Sequence, residues 1–378
     1  MNTISLNLED PIRDAISRIR FGPHSNNLLI SSWDSSLRLY DVDSSKLRME
    51  APGKASLLDC CFENERVCLT AESDGSIYRY DLDSGVKISV GINDDVATCV
   101  EYSPTTCQII SAGWDRKINF WDARSTQSHG CLNSLASEVG SMSLSEFSLI
   151  VAAGSSVDIY DLRSFKKSVH TKGVKVNVYG QFLTLKDLLL DQLMSEFFWS
   201  TSADPAQMRG STVSSRVHIS ASTFRSCKSW RILDISVSIK HSLIQKTLLL
   251  CGSLNSFVSF CRYAFRCHPK SKDGRRHLVT VNDIAFNPSI IGSFVTGDND
   301  GYVTLWDARG RKRMFEMPRY PKSVVSLSYS HDGMLLAVAS SYAYQEANEI
   351  EEPPQIFMHH EMGNCYLTSP SSGASKYK

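Results

Sequence analysis

The chain has 378 residues, enough for one large closed domain or for two ordinary ones. Hydrophobic residues make up 42% and charged residues 21%, close to the averages for globular proteins, which argues against gross disorder and against a fibrous class. The 40 basic residues balance the 40 acidic ones, so the chain as a whole offers no polycation for direct nucleic-acid binding or for an anionic membrane.

The cysteines indicate a reducing compartment. The 11 cysteines are scattered, odd in number and free of CxxC pairs, which favours the nucleus or cytoplasm over a secreted disulfide framework. The first ten residues lack the basic and apolar stretches of a signal peptide. No run of 18 apolar residues occurs, so no membrane span is predicted.

In chain order, the first predicted element is a short strand at 4–8, and a repeated group of strands follows it. Strands are predicted at 16–21, at the apolar run 28–30 and at 33–41, where apolar and polar residues alternate up to Tyr40-Asp41. Segments ending in an aromatic residue and an aspartate recur at 74–81, 114–122, 154–161 and 298–307. The first four closing aspartates lie about 40 residues apart, which is the period of the WD repeat.

The turns of each repeat have their own residue types. Asp-Gly or Ser-Ser precedes the closing strand and favours a tight hairpin turn, because glycine tolerates positive φ and short polar side chains bond the turn backbone. The closing aspartates occur once per repeat and are predicted to cap turns rather than to form acid–base pairs: Asp41, Asp81, Asp122, Asp161 and Asp307.

The last repeat runs through 324–329, 334–339 and 355–360 and has no aromatic-Asp ending. We expect the strand at 4–8 to supply its outer strand, which closes a ring and removes an open sheet edge. The prediction is an all-β, seven-bladed β-propeller of WD repeats at 1–368, closed by the N-terminal strand and followed by a disordered tail at 369–378.

One stretch departs from the repeat. Asp161 and Asp307 are 146 positions apart, where two further blades need only about 80 to 90. Residues 172–262 contain no aromatic-Asp ending, and a helix is conceivable at 185–198. A functional insertion, a divergent blade five and a segment replaced in an alternative transcript are all open interpretations.

Specific strings lie at 31–41, 263–268, 319–321 and 339–344. They resemble the non-kinase, WD-repeat member of the "budding uninhibited by benzimidazole" group of mitotic spindle checkpoint proteins, and the resemblance covers about 1–171 and 263–360. It implies a monomeric propeller within larger complexes, in the nucleus and cytoplasm and at the kinetochore during mitosis. It also implies partners, namely checkpoint kinases bound through short linear motifs and phosphorylated repeats of a kinetochore scaffold. The related messenger-RNA export propeller of the nuclear pore is the nearest alternative function.

Aromatic and basic side chains are the candidate peptide-binding residues. Trp33 and Trp114 occupy equivalent places before the turn of two repeats, where large aromatic rings are frequent binding hot spots; packing between blades is the alternative. Arg266 and Lys270 begin a segment with five permanent positive charges in twelve residues, typical of sites for acidic or phosphorylated peptides, although a solvated loop has the same composition. Weaker candidates are Arg319 and Tyr342.

Catalytic chemistry has little support in the sequence. The chain lacks a Gly-x-Ser-x-Gly elbow, a glycine-rich phosphate loop and a His-Glu-x-x-His pair. His359 and His360 are adjacent, so in a strand they face opposite sides, and the same holds for Cys60 and Cys61. We therefore predict a non-enzymatic adaptor with no cofactor or metal. A propeller hydrolase is the alternative from another class.

Overall fold

The computed structural model describes residues 3–6, 10–124, 128–132, 135–154, 156–163, 170–173, 218–220, 234–236, 264–265, 269–272, 275–279, 281–290, 292–308, 312–342 and 353–360. The regular elements in these ranges are β-strands. None of the ranges holds a helix of the length and apolar character needed to cross a membrane. The predicted helix at 185–198 and the tail at 369–378 lie outside the described residues.

Four sheets of four antiparallel strands follow one another along the first part of the chain. The strand bounds, with β1 preceding the first sheet, are β1 (Thr3–Ser5); first sheet β2 (Ile16–Phe21), β3 (Asn27–Ser32), β4 (Ser36–Asp41) and β5 (Lys46–Pro52); second sheet β6 (Leu57–Asn64), β7 (Val67–Glu72), β8 (Ser76–Asp81) and β9 (Lys87–Ile92); third sheet β10 (Ala97–Ser103), β11 (Gln108–Gly113), β12 (Ile118–Asp122) and β13 (Ser128–Leu132); fourth sheet β14 (Val139–Ser145), β15 (Ser148–Ala153), β16 (Ser156–Asp161) and β17 (His170–Gly173).

Short strands occupy the interval where the sequence departs from the repeat. β18 (His218–Ser220), β19 (Asp234–Ser236) and β20 (Ala264–Phe265) form a three-stranded sheet. β21 (Pro269–Lys272) and β22 (Arg275–Leu278) form a hairpin that pairs Lys272 with Arg275. The rest of 174–263 lies outside the described residues.

Two further four-stranded sheets follow. The penultimate sheet contains β23 (Val281–Phe286), β24 (Ser293–Asp298), β25 (Val303–Asp307) and β26 (Lys312–Glu316). The last sheet contains β27 (Ser323–Tyr329), β28 (Leu335–Ser341) and β29 (Gln355–His360). β1 is its fourth strand, and Ile4 pairs with Met358. The described residues thus show an all-β propeller with six four-stranded sheets. Of the predicted strand at 4–8, residues 4–5 lie in β1, and residues 7–8 lie outside the described residues.

The first strand of each four-stranded sheet lies at the centre, because these strands neighbour one another in the order β23, β27, β2, β6, β10 and β14. Each carries a β-bulge near its start. The residues directly after the bulges are therefore structurally equivalent: Arg18, Asp59, Cys99, Ser141, Asp283 and Ser326.

Apolar side chains pack between neighbouring sheets rather than in one common centre. One cluster joins the first and second sheets around Leu39 and Tyr80, and another joins the third and fourth around Phe120 and Tyr160. The second strands are covered on both faces, which explains continuous apolar runs such as Leu28-Leu29-Ile30. Burying both faces of each sheet holds neighbouring blades at fixed angles and so fixes the loops at their ends.

Polar side chains at the centre tie neighbouring sheets together. Asp283 of the penultimate sheet accepts the Leu327 N–H of the last sheet at 2.8 Å, and Asp59 of the second accepts the Val100 N–H of the third at 3.1 Å. The Arg18 guanidinium of the first sheet lies 3.3 Å from Asp283 of the penultimate sheet and 3.6 Å from Asp59 of the second sheet. One buried arginine thus connects three sheets.

Candidate functional site

The two rims of the ring differ in the connections that they carry. In the first sheet Ile16 pairs with Ser32, and Ser36 pairs with Pro52. The start of the first strand, the turn between the second and third strands and the end of the outer strand therefore share one rim, which we call the upper rim. The lower rim carries the remaining turns, including the one that holds Met334.

Trp33 and Trp114 occupy the same position on the upper rim, as the sequence predicts. Each directly follows a second strand and donates its backbone N–H to the residue before the first strand: Trp33 to Ala15 at 2.8 Å and Trp114 to Val96 at 3.0 Å. Ser73 and Gly154 make the equivalent bonds in the second and fourth sheets. The position is therefore a repeated feature of the fold that holds an aromatic ring in only some sheets.

Trp114 is the more exposed of the two indoles. Its side chain is 47% exposed, whereas Trp33 is half-buried. The connection before the third sheet passes very close to Gly113, where a Cβ atom would lie 1.9 Å from the Val96 carbonyl oxygen. Glycine is required there, and it brings the 93–96 connection against the Trp114 turn.

Tyr342 directly follows β28 and lies one residue past the matching position, which Ser341 occupies in the last sheet. The sequence selected Tyr342 only through the family resemblance. Its ring is 8% exposed, and the Lys322 ammonium lies 3.5 Å from the ring centroid. A cation over a buried aromatic face is stabilised by the ring quadrupole. Tyr342 therefore supports a basic group on the rim rather than presenting its own ring.

Tyr342 and Trp33 are joined through the segment that enters β2. Ser341 Oγ accepts the Ile16 N–H at 3.0 Å, and the neighbouring Ala15 carbonyl accepts the Trp33 N–H. The two aromatic positions thus flank one segment. Lys322, Tyr342 and Trp33 form a continuous sector of the upper rim.

Arg319 lies on the same rim, in the connection between the penultimate and last sheets. Its side chain is exposed, and Nε donates to the Asp300 carbonyl at 2.8 Å. Arg266 lies outside the described residues. Lys270 lies in β21, opposite His277, but its side chain is outside the described part of the chain.

Four of the five closing aspartates cap turns on the lower rim, as predicted, namely Asp41, Asp81, Asp122 and Asp161. Asp41 accepts the backbone N–H groups of Asp43 and Ser44, and Asp122 accepts that of Arg124 at 2.8 Å. Asp81 and Asp161 make equivalent bonds. The aromatic residues before them are core residues: the Trp121 and Trp306 indoles donate to Ser111 and Thr296 of the adjoining strands.

Two site residues were not identified from the sequence. Lys322 stands outside any charge cluster, so only its place over Tyr342 reveals it. Arg38 lies beneath the Trp33 turn and reads in the sequence as one polar residue of an alternating strand. Across the described ranges, no group of three or more histidine, cysteine, aspartate or glutamate side chains is arranged to hold a metal ion.

Comparison with known proteins identifies the family. The model "WD domain, G-beta repeat" matches residues 7–41 and 87–122. The mitotic checkpoint protein BUB3.3 of Arabidopsis thaliana is 41% identical over 94% of this chain and 98% of its own length. BUB3.1 of the same plant is 32% identical over 93% and 91%, whereas the mRNA export factor GLE2 of Chaetomium thermophilum is 24% identical over 94% and 92%. The chain belongs to the BUB3 family of WD-repeat mitotic checkpoint proteins.

Proposed function

We propose that the chain is a non-enzymatic adaptor of the mitotic spindle checkpoint. It binds short extended segments of checkpoint kinases, and phosphorylated repeats of a kinetochore scaffold, across the upper rim of its propeller. This activity places it in the nucleus and cytoplasm, and at the kinetochore during mitosis. Relatives named as mitotic checkpoint proteins cover nearly the whole chain, which supports this assignment.

The observation that carries the proposal is the repeated rim position that holds Trp33 and Trp114, with Tyr342 one residue past it in the last sheet. Trp114 exposes its indole, Trp33 is half-buried, and Tyr342 supports the Lys322 ammonium. Aromatic anchors bury a large area at a small entropic cost, and a neighbouring cation favours an acidic or phosphorylated residue. Arg266 and Lys270 extend this proposal to the basic segment before β23.

We further propose that the ring has seven blades. The additional blade is the fifth in chain order, in the interval that contains β18, β19 and β20. The three-stranded sheet that they form supports this count. The pairing of β1 with β29 supports closure by the N-terminal strand.

Capture from mitotic cell extract tests the function. Trp114→Ala should weaken binding by roughly 2 kcal/mol, or about 30-fold in Kd, since exposed aromatic anchors dominate such interfaces. Met334→Ala is the matched control, because Met334 is 50% exposed but lies on the lower rim. We expect mass spectrometry to identify checkpoint kinases with the parent chain and with Met334→Ala, and few with Trp114→Ala.

Two results would contradict the proposal. Equal recovery of kinases by Trp114→Ala and Met334→Ala would remove the upper rim as the binding surface. Recovery of nuclear-pore components without kinases would favour the messenger-RNA export alternative.

A further inference from the structure

Arg38 lies directly below the turn that carries Trp33. It is 3% exposed, and its guanidinium donates to Ser32 Oγ at 3.0 Å. It also donates to the two carboxylate oxygens of Asp34, at 3.2 and 2.9 Å. Ser32 and Asp34 flank Trp33 in the chain, so one buried side chain holds both ends of the Trp33 segment.

The Asp34 carboxylate also binds neighbouring backbone N–H groups. It accepts the Arg13 N–H at 3.2 Å and the Ser36 N–H at 3.0 Å. Burial opposes ionisation of this carboxyl, but hydrogen bonds from Arg38 and Ser32 hold the pKa of Asp34 below its ordinary value. The ionised carboxylate therefore persists at neutral pH and keeps the ion pair intact.

Arg38 also fixes the turn to the outer strand of the first sheet. Its Nη2 lies 2.8 Å from the Glu50 carboxylate on β5. With the Trp33 N–H bonded to Ala15, and the Trp33 carbonyl accepting Ser56 Oγ at 3.0 Å, the backbone of the anchor is held from three directions.

The Trp114 turn has a weaker version of the same device. Asn119 stands four residues after Asp115, just as Arg38 stands four residues after Asp34, and Asn119 Nδ2 donates to Asp115 at 3.4 Å. A neutral amide bond of that length is weaker than a charge-assisted pair with two contacts. The two indoles therefore sit on turns of unequal rigidity.

We infer that Arg38 is a positioning residue that makes Trp33 the rigid, primary anchor for the bound segment, with Trp114 as the adaptable second anchor. The ranking of the anchors rests on the proposed function, but the positioning role does not. A side chain held in its bound orientation before binding loses less conformational freedom on association, which gains affinity without a new contact.

A ligand-free spectrum tests the positioning role. The chain contains six tryptophans, and labelling them with 5-fluorotryptophan gives ¹⁹F resonances that Trp33→Phe and Trp114→Phe assign. Arg38→Met should shift or broaden the Trp33 resonance and leave that of Trp114 in place, and Arg38→Lys should restore it in part. An unchanged Trp33 resonance in Arg38→Met would overturn the inference.

Arg79→Met is the matched control for loss of an ion pair. Arg79 also lies on a third strand, and it pairs with Glu63 at 2.6 and 2.9 Å, away from both tryptophan turns. Compared with this control, Arg38→Met should bind checkpoint kinases from mitotic extract with about 10-fold lower affinity, because pre-organisation of the anchor is lost.

The two arms separate the possible failures. Kinase capture by Arg38→Met equal to that by Arg79→Met, while Trp33→Ala loses capture, would overturn the role of Arg38 in binding. A parent chain that captures no kinase would overturn the proposed function and the ranking of anchors with it. The Trp33 resonance, measured without ligand, decides the positioning role by itself.

Discussion

Asp283 offers the sharpest test of how the ring is held together. Its carboxylate is 1% exposed and accepts the Ile284 N–H at 3.0 Å, the Leu327 N–H at 2.8 Å and Ser326 Oγ at 3.1 Å, in addition to its pairing with Arg18. Asp283→Ala removes all four contacts at once. The buried Arg18 guanidinium then keeps its contact with the Asp59 carboxylate, at 3.6 Å, but loses the one with Asp283.

The magnitude follows from these contacts. Removing one partner of a buried ion pair costs about 3–5 kcal/mol, and each buried donor left without an acceptor costs about 1–3 kcal/mol. Because some contacts re-form with water or with neighbouring groups, we expect Asp283→Ala to lower the free energy of unfolding by about 4 kcal/mol.

Urea unfolding followed by circular dichroism measures this loss. Asp83→Ala is the control, since Asp83 is exposed and its carboxylate lies 3.6 Å from Arg48 and 3.9 Å from Arg66. Such surface changes stay within about 0.5 kcal/mol. A double-mutant cycle with Arg18→Met should show coupling above about 1 kcal/mol. A loss for Asp283→Ala within 1 kcal/mol of the Asp83→Ala value would refute this account of the central contacts.

Further predictions concern pH, thiols and the N-terminus. Burial lowers the pKa of His359 to about 4 from 6.5, so the neutral ring stabilises the fold above pH 6.5 and that stability is lost as the pH falls toward 4. On acid titration, the free energy of unfolding should fall by about 3 kcal/mol more in the parent than in His359→Gln. Parallel curves of unfolding free energy against pH would contradict this prediction. Burial raises the pKa of Cys60 to about 12, and those of Cys61 and Cys68 well above 9.0. Mass spectrometry after brief alkylation of the native protein should find these three thiols unmodified and the exposed Cys131 labelled. Labelling of the three buried thiols at the rate of Cys131 would contradict this prediction. Deleting residues 1–8 removes the pairing of β1 with β29 and should lower the melting temperature, and an unchanged value would count against closure by this strand.

The strand pattern could be predicted from the sequence because both faces of each blade pack against neighbours at a constant period. The aromatic-Asp endings located the third strands, and the run at 28–30 lies inside β3 (Asn27–Ser32). The start of the strand predicted at 4–8 was one residue late, since β1 begins at Thr3. An edge strand takes its register from its partner, so its bounds depend on pairing with a strand that is distant in the sequence.

The central contacts and the turn supports were not predictable, because their partners are distant in the chain. Arg18 and Asp283 are 265 positions apart, and no local pattern links them. Trp33 and Trp114 were predicted as candidates because both precede a turn at the same place in the repeat. The burial of Tyr342 under Lys322 and the grip of Arg38 on the Trp33 turn depend on side-chain geometry that periodicity does not encode.

The central claim is that segments of checkpoint kinases bind across the upper rim, and site-specific photocrosslinking in mitotic cells tests it most directly. The photoreactive residue p-benzoylphenylalanine replaces Trp114 in one variant and Met334 in the other, which have similar exposed fractions, 47% and 50%, on opposite rims. The account predicts a crosslink to a checkpoint kinase from position 114 and none from position 334. Crosslinking from position 334 alone, or from both positions equally, would contradict it.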